Sequence, residues 1–69
     1  MKTILINKEG KYFSNLSYGQ GLPFHFSKNI GRSIPITEKD ADVLISKYPV
    51  LKGCKLINFH NHSEIIKQY

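Results

Sequence analysis

The sequence predicts a small α+β domain in which an antiparallel sheet of three to five short strands packs against one α-helix. Short β-branched or aromatic runs separated by turn residues fill the first half of the chain. One amphipathic helical pattern begins at Thr37 and stops before Pro49, and an apolar run from Cys54 to Phe59 follows it. We expect residues 1–69 to form a single domain, with residues 60–69 as a flexible or short helical tail.

The first predicted element is a β-hairpin. Thr3 to Ile6 is rich in β-branched residues, and the Asn-Lys-Glu-Gly sequence at residues 7–10 supplies the Asn and Gly that favour left-handed backbone in a turn. Lys11 to Leu16 is the predicted return strand.

A third strand is predicted after the Gly-Gln-Gly sequence at residues 19–21. Leu22, Phe24 and Phe26 alternate, so they would share one face of this strand and supply much of the core. The Asn-Ile-Gly-Arg sequence at residues 29–32 then indicates a second turn.

The helix has the most complete set of local signals. Thr37 is a preferred N-cap residue, and Asp40 stands at the third helical position, where its carboxylate suits the exposed amides of the first turn. Pro49 disfavours helical backbone at the preceding residue and so ends the helix. One apolar stripe follows the helical spacing, formed by Ala41, Leu44, Ile45 and Tyr48.

The size of the chain argues against an enzyme. A domain of 69 residues has thin stability, and a catalytic pocket of ordinary volume would hollow out most of its core. Cys54 with a histidine would be a conceivable nucleophile and base, but a small buried hydrophobe is the favoured interpretation. We therefore predict no catalytic residue and no cofactor.

Two histidines near the end of the chain raise the question of a metal site. In a strand His60 and His62 would project to one side, with Cys54 or His25 as conceivable third ligands. The chain has no Cys-x-x-Cys or Glu-x-x-His pattern. Solvent-exposed histidines are the favoured interpretation, and no metal ligand is predicted.

The charge of the chain points to an acidic partner. Ten Lys and Arg against five Asp and Glu give a net charge of +5, which favours polyanions or an acidic protein surface. Aromatic residues interleave with the lysines, and such rings on a basic sheet can stack on nucleic-acid bases, although the core needs most of them. We place the interaction surface on the sheet and its loops, at Lys8, Lys11, Tyr18, Lys28 and Arg32.

The sequence predicts no membrane partner. Only three apolar residues, Ile4 to Ile6, precede Asn7, which is far short of a signal-peptide core. No run approaches the ~20 apolar residues of a membrane span. We expect a soluble intracellular product, or one that leaves the cell inside a particle.

The segment from Ile34 to Leu44 resembles the "extended, Val/Ile-Thr-acidic-x-x-Ala-x-x-Leu" segment of small accessory domains in tailed bacteriophages and prophages, including the Mu-like prophage N-terminal domain type. Ile36, Thr37, Ala41 and Leu44 carry the match. The resemblance implies a virion or assembly component, not an enzyme, that binds other virion proteins or its own copies and assembles in the host cytoplasm. The alternative, from charge alone, is a small basic nucleic-acid-binding or host-directed regulatory protein of the host cytoplasm.

Overall fold

The computed structural model describes residues 1–14 and 24–69. Within them a five-stranded antiparallel sheet has the order β3-β2-β1-β4-β5 and packs one face against one α-helix, which confirms the predicted α+β class. The elements are β1 (Thr3–Ile6), β2 (Tyr12–Phe13), β3 (Phe26–Ser27), α1 (Glu38–Lys47), β4 (Lys55–Asn58) and β5 (Asn61–Gln68).

The β1–β2 hairpin forms as predicted. The Asn7 side-chain oxygen accepts from the backbone N–H groups of Glu9 at 3.0 Å and Lys11 at 2.9 Å, and Gly10 adopts a φ of 79°. The β2 ladder is shorter than the predicted return strand, whose residues from 15 onward lie outside the described residues. Beyond the hairpin, the N–H of Ile36 donates to the Thr3 carbonyl at 3.0 Å and so occupies the edge of β1 that β2 leaves open.

Helix α1 begins and ends where its local signals place it. The Thr37 hydroxyl oxygen accepts from the Asp40 N–H at 3.2 Å, and Thr37 itself has extended backbone, as an N-cap residue does. The helix ends at Lys47, and Pro49 opens a 3₁₀ turn, Pro49–Leu51, that carries Leu51 into the core.

The core lies between α1 and one face of the sheet. Phe24 and Phe26 pack against it as predicted, with ring centroids 6.1 Å apart, whereas Leu22 lies outside the described residues. Phe13 contacts Phe26 edge-on at 5.8 Å. The buried members of the core are Leu5, Phe13, Ala41, Ile45, Leu51, Cys54 and Leu56.

The expectation of a flexible or helical tail from residue 60 is wrong. Residues Asn61–Gln68 form β5, which pairs with the outer side of β4, and the Tyr69 N–H donates to the Cys54 carbonyl at 2.9 Å. The register of this pairing shifts at two places, and each shift changes which side chains face the core. The sequence of β5 therefore does not show the polar–apolar alternation that marks a regular strand. Pairing with the adjacent strand β4 therefore decides the conformation of these residues.

Candidate functional surface

The sheet has a second face, opposite α1, which we call the open face. Side chains alternate along a strand, so Ile4 and Ile57 point away from the core residues Leu5 and Leu56. Ile4 is nevertheless 0% exposed and Ile57 only 3% exposed. Side chains of the sheet itself must therefore cover the middle of the open face.

A group of rings provides this cover. The His62 ring centroid lies 6.3 Å from that of Tyr12 and 6.3 Å from that of Phe59, which in turn is 5.3 Å from that of His60. Strands β1 and β4 separate β2 from β5, and neighbouring strands are about 4.8 Å apart, so rings from β2 and β5 can meet only above β1 and β4. We call Tyr12, Phe59, His60 and His62 the ring cluster.

The path of β5 explains how His62 reaches this position. Asn58 pairs with Asn61, but Ile57 pairs with Ile65, so residues 62–64 form a bulge in the strand. The bulge carries the His62 ring over the sheet, whereas His60 lies in the turn before β5. Both histidines are exposed, as the sequence predicted.

Lysine side chains border the ring cluster. The Lys2 ammonium lies 3.9 Å from the centroid of the Phe59 ring, a cation–π contact. Lys55 is exposed, and its place in the β4 register puts it on the same face as Ile57. The nearby carboxylate of Glu64 accepts a hydrogen bond from the Asn58 amide at 3.0 Å. The open face thus combines partly exposed rings with cationic groups.

The helix side, by contrast, is electrically neutral. Lys67 of β5 reaches over to α1, where its ammonium donates to Asp42 at 2.9 Å and lies 3.9 Å from Glu38. Three carboxylates are thus matched by three ammonium groups, namely Glu38, Asp40 and Asp42 against Lys39, Lys47 and Lys67. Because residues 15–23 contain no charged side chain, the net charge of +5 belongs to the sheet, its turns and the two 3₁₀ turns that carry Arg32 and Lys52.

Hydrogen bonds to Asp42 join the end of the sheet to the helix side. The Tyr69 hydroxyl donates to Asp42 at 2.6 Å, and this bond, together with that from Lys67, lowers the pKa of the Asp42 carboxyl. Burial, together with the hydrogen bond to Asp42, raises the pKa of Tyr69. Lys67 of β5 and Tyr69, which follows the strand, are therefore both hydrogen-bonded to α1.

Two of the five residues predicted for the interaction surface lie opposite each other, and a third is in the adjoining turn. Lys8 is in the β1–β2 turn, and Lys11 stands opposite Lys28 because each lies one position beyond the Tyr12–Ser27 pair. We call Lys8, Lys11 and Lys28 the basic end. Arg32 is exposed in the 3₁₀ turn that follows β3, and Tyr18 lies outside the described residues.

The sequence did not predict the ring cluster. The sequence assigns most aromatic residues to the core, and it favours His60 and His62 as solvent-exposed residues on one side of a strand. One signal was present: Ile57 and Phe59 fall on the opposite side of β4 from Cys54 and Leu56, which indicates apolar groups on both faces.

Cys54 does not join the histidines. It lies in the core on the helix side at 2% exposure, where burial raises the pKa of its thiol. Within residues 1–14 and 24–69, no three His, Cys, Asp or Glu side chains are grouped as a metal-ligand set. In the same part of the chain, no helix has the length and apolar character needed to cross a membrane.

Comparison of the chain with protein-family models, curated proteins and solved structures gives no match.

Proposed function

We propose that the protein is a small accessory component of a tailed-bacteriophage or prophage particle that binds other virion proteins, at the capsid or head-to-tail joint, and has no enzymatic role. The basic end is the observation that supports this proposal. Lys11 and Lys28 lie opposite each other and Lys8 is in the adjoining turn, so this end of the domain presents several ammonium groups to a partner. An acidic surface on a virion protein is the electrostatic complement of that region.

A sheet edge is the less suitable contact. The outer edge of β5 is interrupted by bulges and carries the charged residues Glu64 and Lys67, features that oppose the addition of a further strand. The opposite edge strand, β3, contains only two residues. The basic end therefore supports partner binding better than either edge.

Incorporation into particles tests the proposal. Assembled particles are purified from cells that produce the wild-type chain or the Lys8→Gln/Lys11→Gln/Lys28→Gln variant, and the protein is quantified in them. We expect the wild type in the particles and the variant largely lost from them. The control is Lys39→Gln/Lys47→Gln, which removes charge from the helix side and should leave incorporation intact. Absence of the wild type from particles, or equal incorporation of the two variants, would contradict the proposal.

A second candidate is a small basic protein of the host cytoplasm that binds nucleic acid or an acidic host partner. The observation that favours it is the confinement of the net charge to the sheet and turns. Such binding would weaken steeply between about 50 and 200 mM salt, because each neutralised phosphate releases counterions. An affinity that does not change over this range would reject a nucleic-acid partner.

A further inference from the structure

We propose that the ring cluster is a single-strand nucleic-acid site, in which unpaired bases stack on Tyr12, Phe59 and His62 while lysines contact the phosphates. The inference rests on the second candidate function and deepens it, because it names the form of nucleic acid and the surface that binds it. The basic end alone would bind any polyanion.

The geometry of the rings supports stacking. Tyr12 and Phe59 are partly exposed and His62 is exposed, so all three rings reach solvent. Their planes are inclined to one another, by 52° between Tyr12 and His62 and by 64° between Phe59 and His62. The rings are therefore not stacked face to face on each other, which leaves each exposed ring surface able to receive a planar base, at Phe59 once Lys2 has moved aside.

The backbone that carries Tyr12 and Phe59 is held in place by the sheet. Tyr12 belongs to β2, and Phe59 is held next to β1 by its N–H, which donates to the Lys2 carbonyl at 2.8 Å. Beneath them Ile4 and Ile57 are buried and paired across β1 and β4. Groups placed on a paired sheet lose little conformational freedom when a ligand binds.

The charges around the cluster suit a nucleic-acid backbone. The Lys2 ammonium already lies over the face of Phe59, so a base that displaces it leaves a cation beside the adjoining phosphate. Lys55 provides a second ammonium on the same face. Glu64 is the carboxylate close to this surface, and it is already hydrogen-bonded to Asn58.

Rings on a basic face distinguish a single strand from other anions. In a duplex the bases stack on one another, so only unpaired bases can lie against protein rings. An acidic protein surface offers carboxylates, which the lysines can bind without any contribution from the rings. Exposed rings next to lysines therefore favour a single strand over both.

Fluorescence anisotropy of the full chain with labelled oligothymidylate and with a labelled mixed-sequence duplex tests the inference. Phe59→Leu and Tyr12→Leu keep apolar bulk and remove an aromatic ring; each should weaken oligothymidylate binding by about tenfold and leave duplex binding unchanged. Val43→Ala, an exposed substitution on the helix side, is the matched control. Lys2→Gln/Lys55→Gln should reduce the slope of log affinity against log salt by about 1.4. Thermal melts establish that each variant is folded.

The outcomes separate the inference from the function it rests on. Selective loss of oligothymidylate binding in folded ring variants supports the inference. Salt-dependent binding that the ring variants leave unchanged overturns the inference, while the second candidate function stands. Absence of binding to either nucleic acid at low salt overturns the inference and, with it, nucleic acid as the partner in the second candidate function. Equal competition by polyglutamate and oligothymidylate, with the same dependence on the rings, also overturns it in favour of an acidic protein partner.

Discussion

Gly53 supports the basic end through its contact with Lys8, and replacing it with alanine is the most informative test of this part of the fold. Gly53 has a φ of 101°, and its N–H donates to the Tyr69 carbonyl at 2.9 Å. The Cγ and Cδ atoms of Lys8 lie 2.9 Å from the position that a Cβ on Gly53 would occupy, and Cε lies closer still. The aliphatic stem of Lys8 therefore lies across the glycine.

Two costs follow for Gly53→Ala. A side chain at this φ costs about 1 to 3 kcal/mol, and the Lys8 stem must also move away. The matched control is Gly10→Ala: Gly10 also has a positive φ, 79°, but nothing lies within 4 Å of its added Cβ. We expect a loss of about 1 kcal/mol for Gly10→Ala. For Gly53→Ala we expect about 2 kcal/mol or more, against a total stability of about 3 to 10 kcal/mol for this length.

Urea unfolding of four proteins measures the contact itself: the wild type, Gly53→Ala, Lys8→Ala and the double variant. If the Lys8 stem lies over Gly53, Lys8→Ala should relieve the steric part of the glycine substitution, so the two changes should not add. Independent sites add to within about 0.5 kcal/mol. Additivity within this limit, or a Gly53→Ala variant no less stable than Gly10→Ala, would refute the reasoning.

Three further predictions concern stability. Thr37→Ala should cost about 1 kcal/mol and lower the melting temperature by about 4 to 8 °C, because the Asp40 N–H loses its cap; Thr37→Ser should retain most of the stability in circular-dichroism melts. Leu56→Ala should cost about 2 to 5 kcal/mol and leave a marginal fold, whereas Val50→Ala, at 79% exposure, should change urea stability by less than about 0.5 kcal/mol. The pKa of Asp42 is lowered in the folded state, so the stability that its carboxylate contributes is present above the ordinary carboxyl pKa and is lost as the pH falls through the pKa of the folded state. Asp42→Asn should therefore reduce the loss of stability below about pH 4. An unchanged pH dependence of the free energy of unfolding in urea titrations would contradict this.

Local signals were sufficient for the hairpin and the helix. Asn7 and Gly10 specify a turn by their own backbone preferences, and Thr37 with Pro49 specifies both ends of α1. These effects act over a few residues, so the sequence displays them directly.

β5 could not be predicted in the same way. Its pairing with β4 shifts register twice, so no alternating pattern marks Ser63 to Ile66 as a strand, and Ser63 resembles a helix cap. The strand forms because β4 offers an unpaired edge, a property of the folded sheet and not of the local sequence.

The basic end and the ring cluster also differ in how much of each the local sequence could predict. The lysines of the basic end were evident from charge, but the register that sets Lys11 opposite Lys28 required the strand order. The ring cluster was hidden because Tyr12 and His62 are 50 positions apart and meet only through the bulge in β5. Whether either surface binds the partners proposed for it stays a prediction.

The neutrality of the helix side has a kinetic consequence. Because the charges around α1 cancel, the net charge of +5 is carried by the rest of the chain, and the charge distribution of the domain is uneven. Near an extended anionic surface such a distribution favours orientations in which α1 points away from that surface. Orientation before contact raises the fraction of collisions that lead to binding. Added salt removes this increase because it shortens the Debye length.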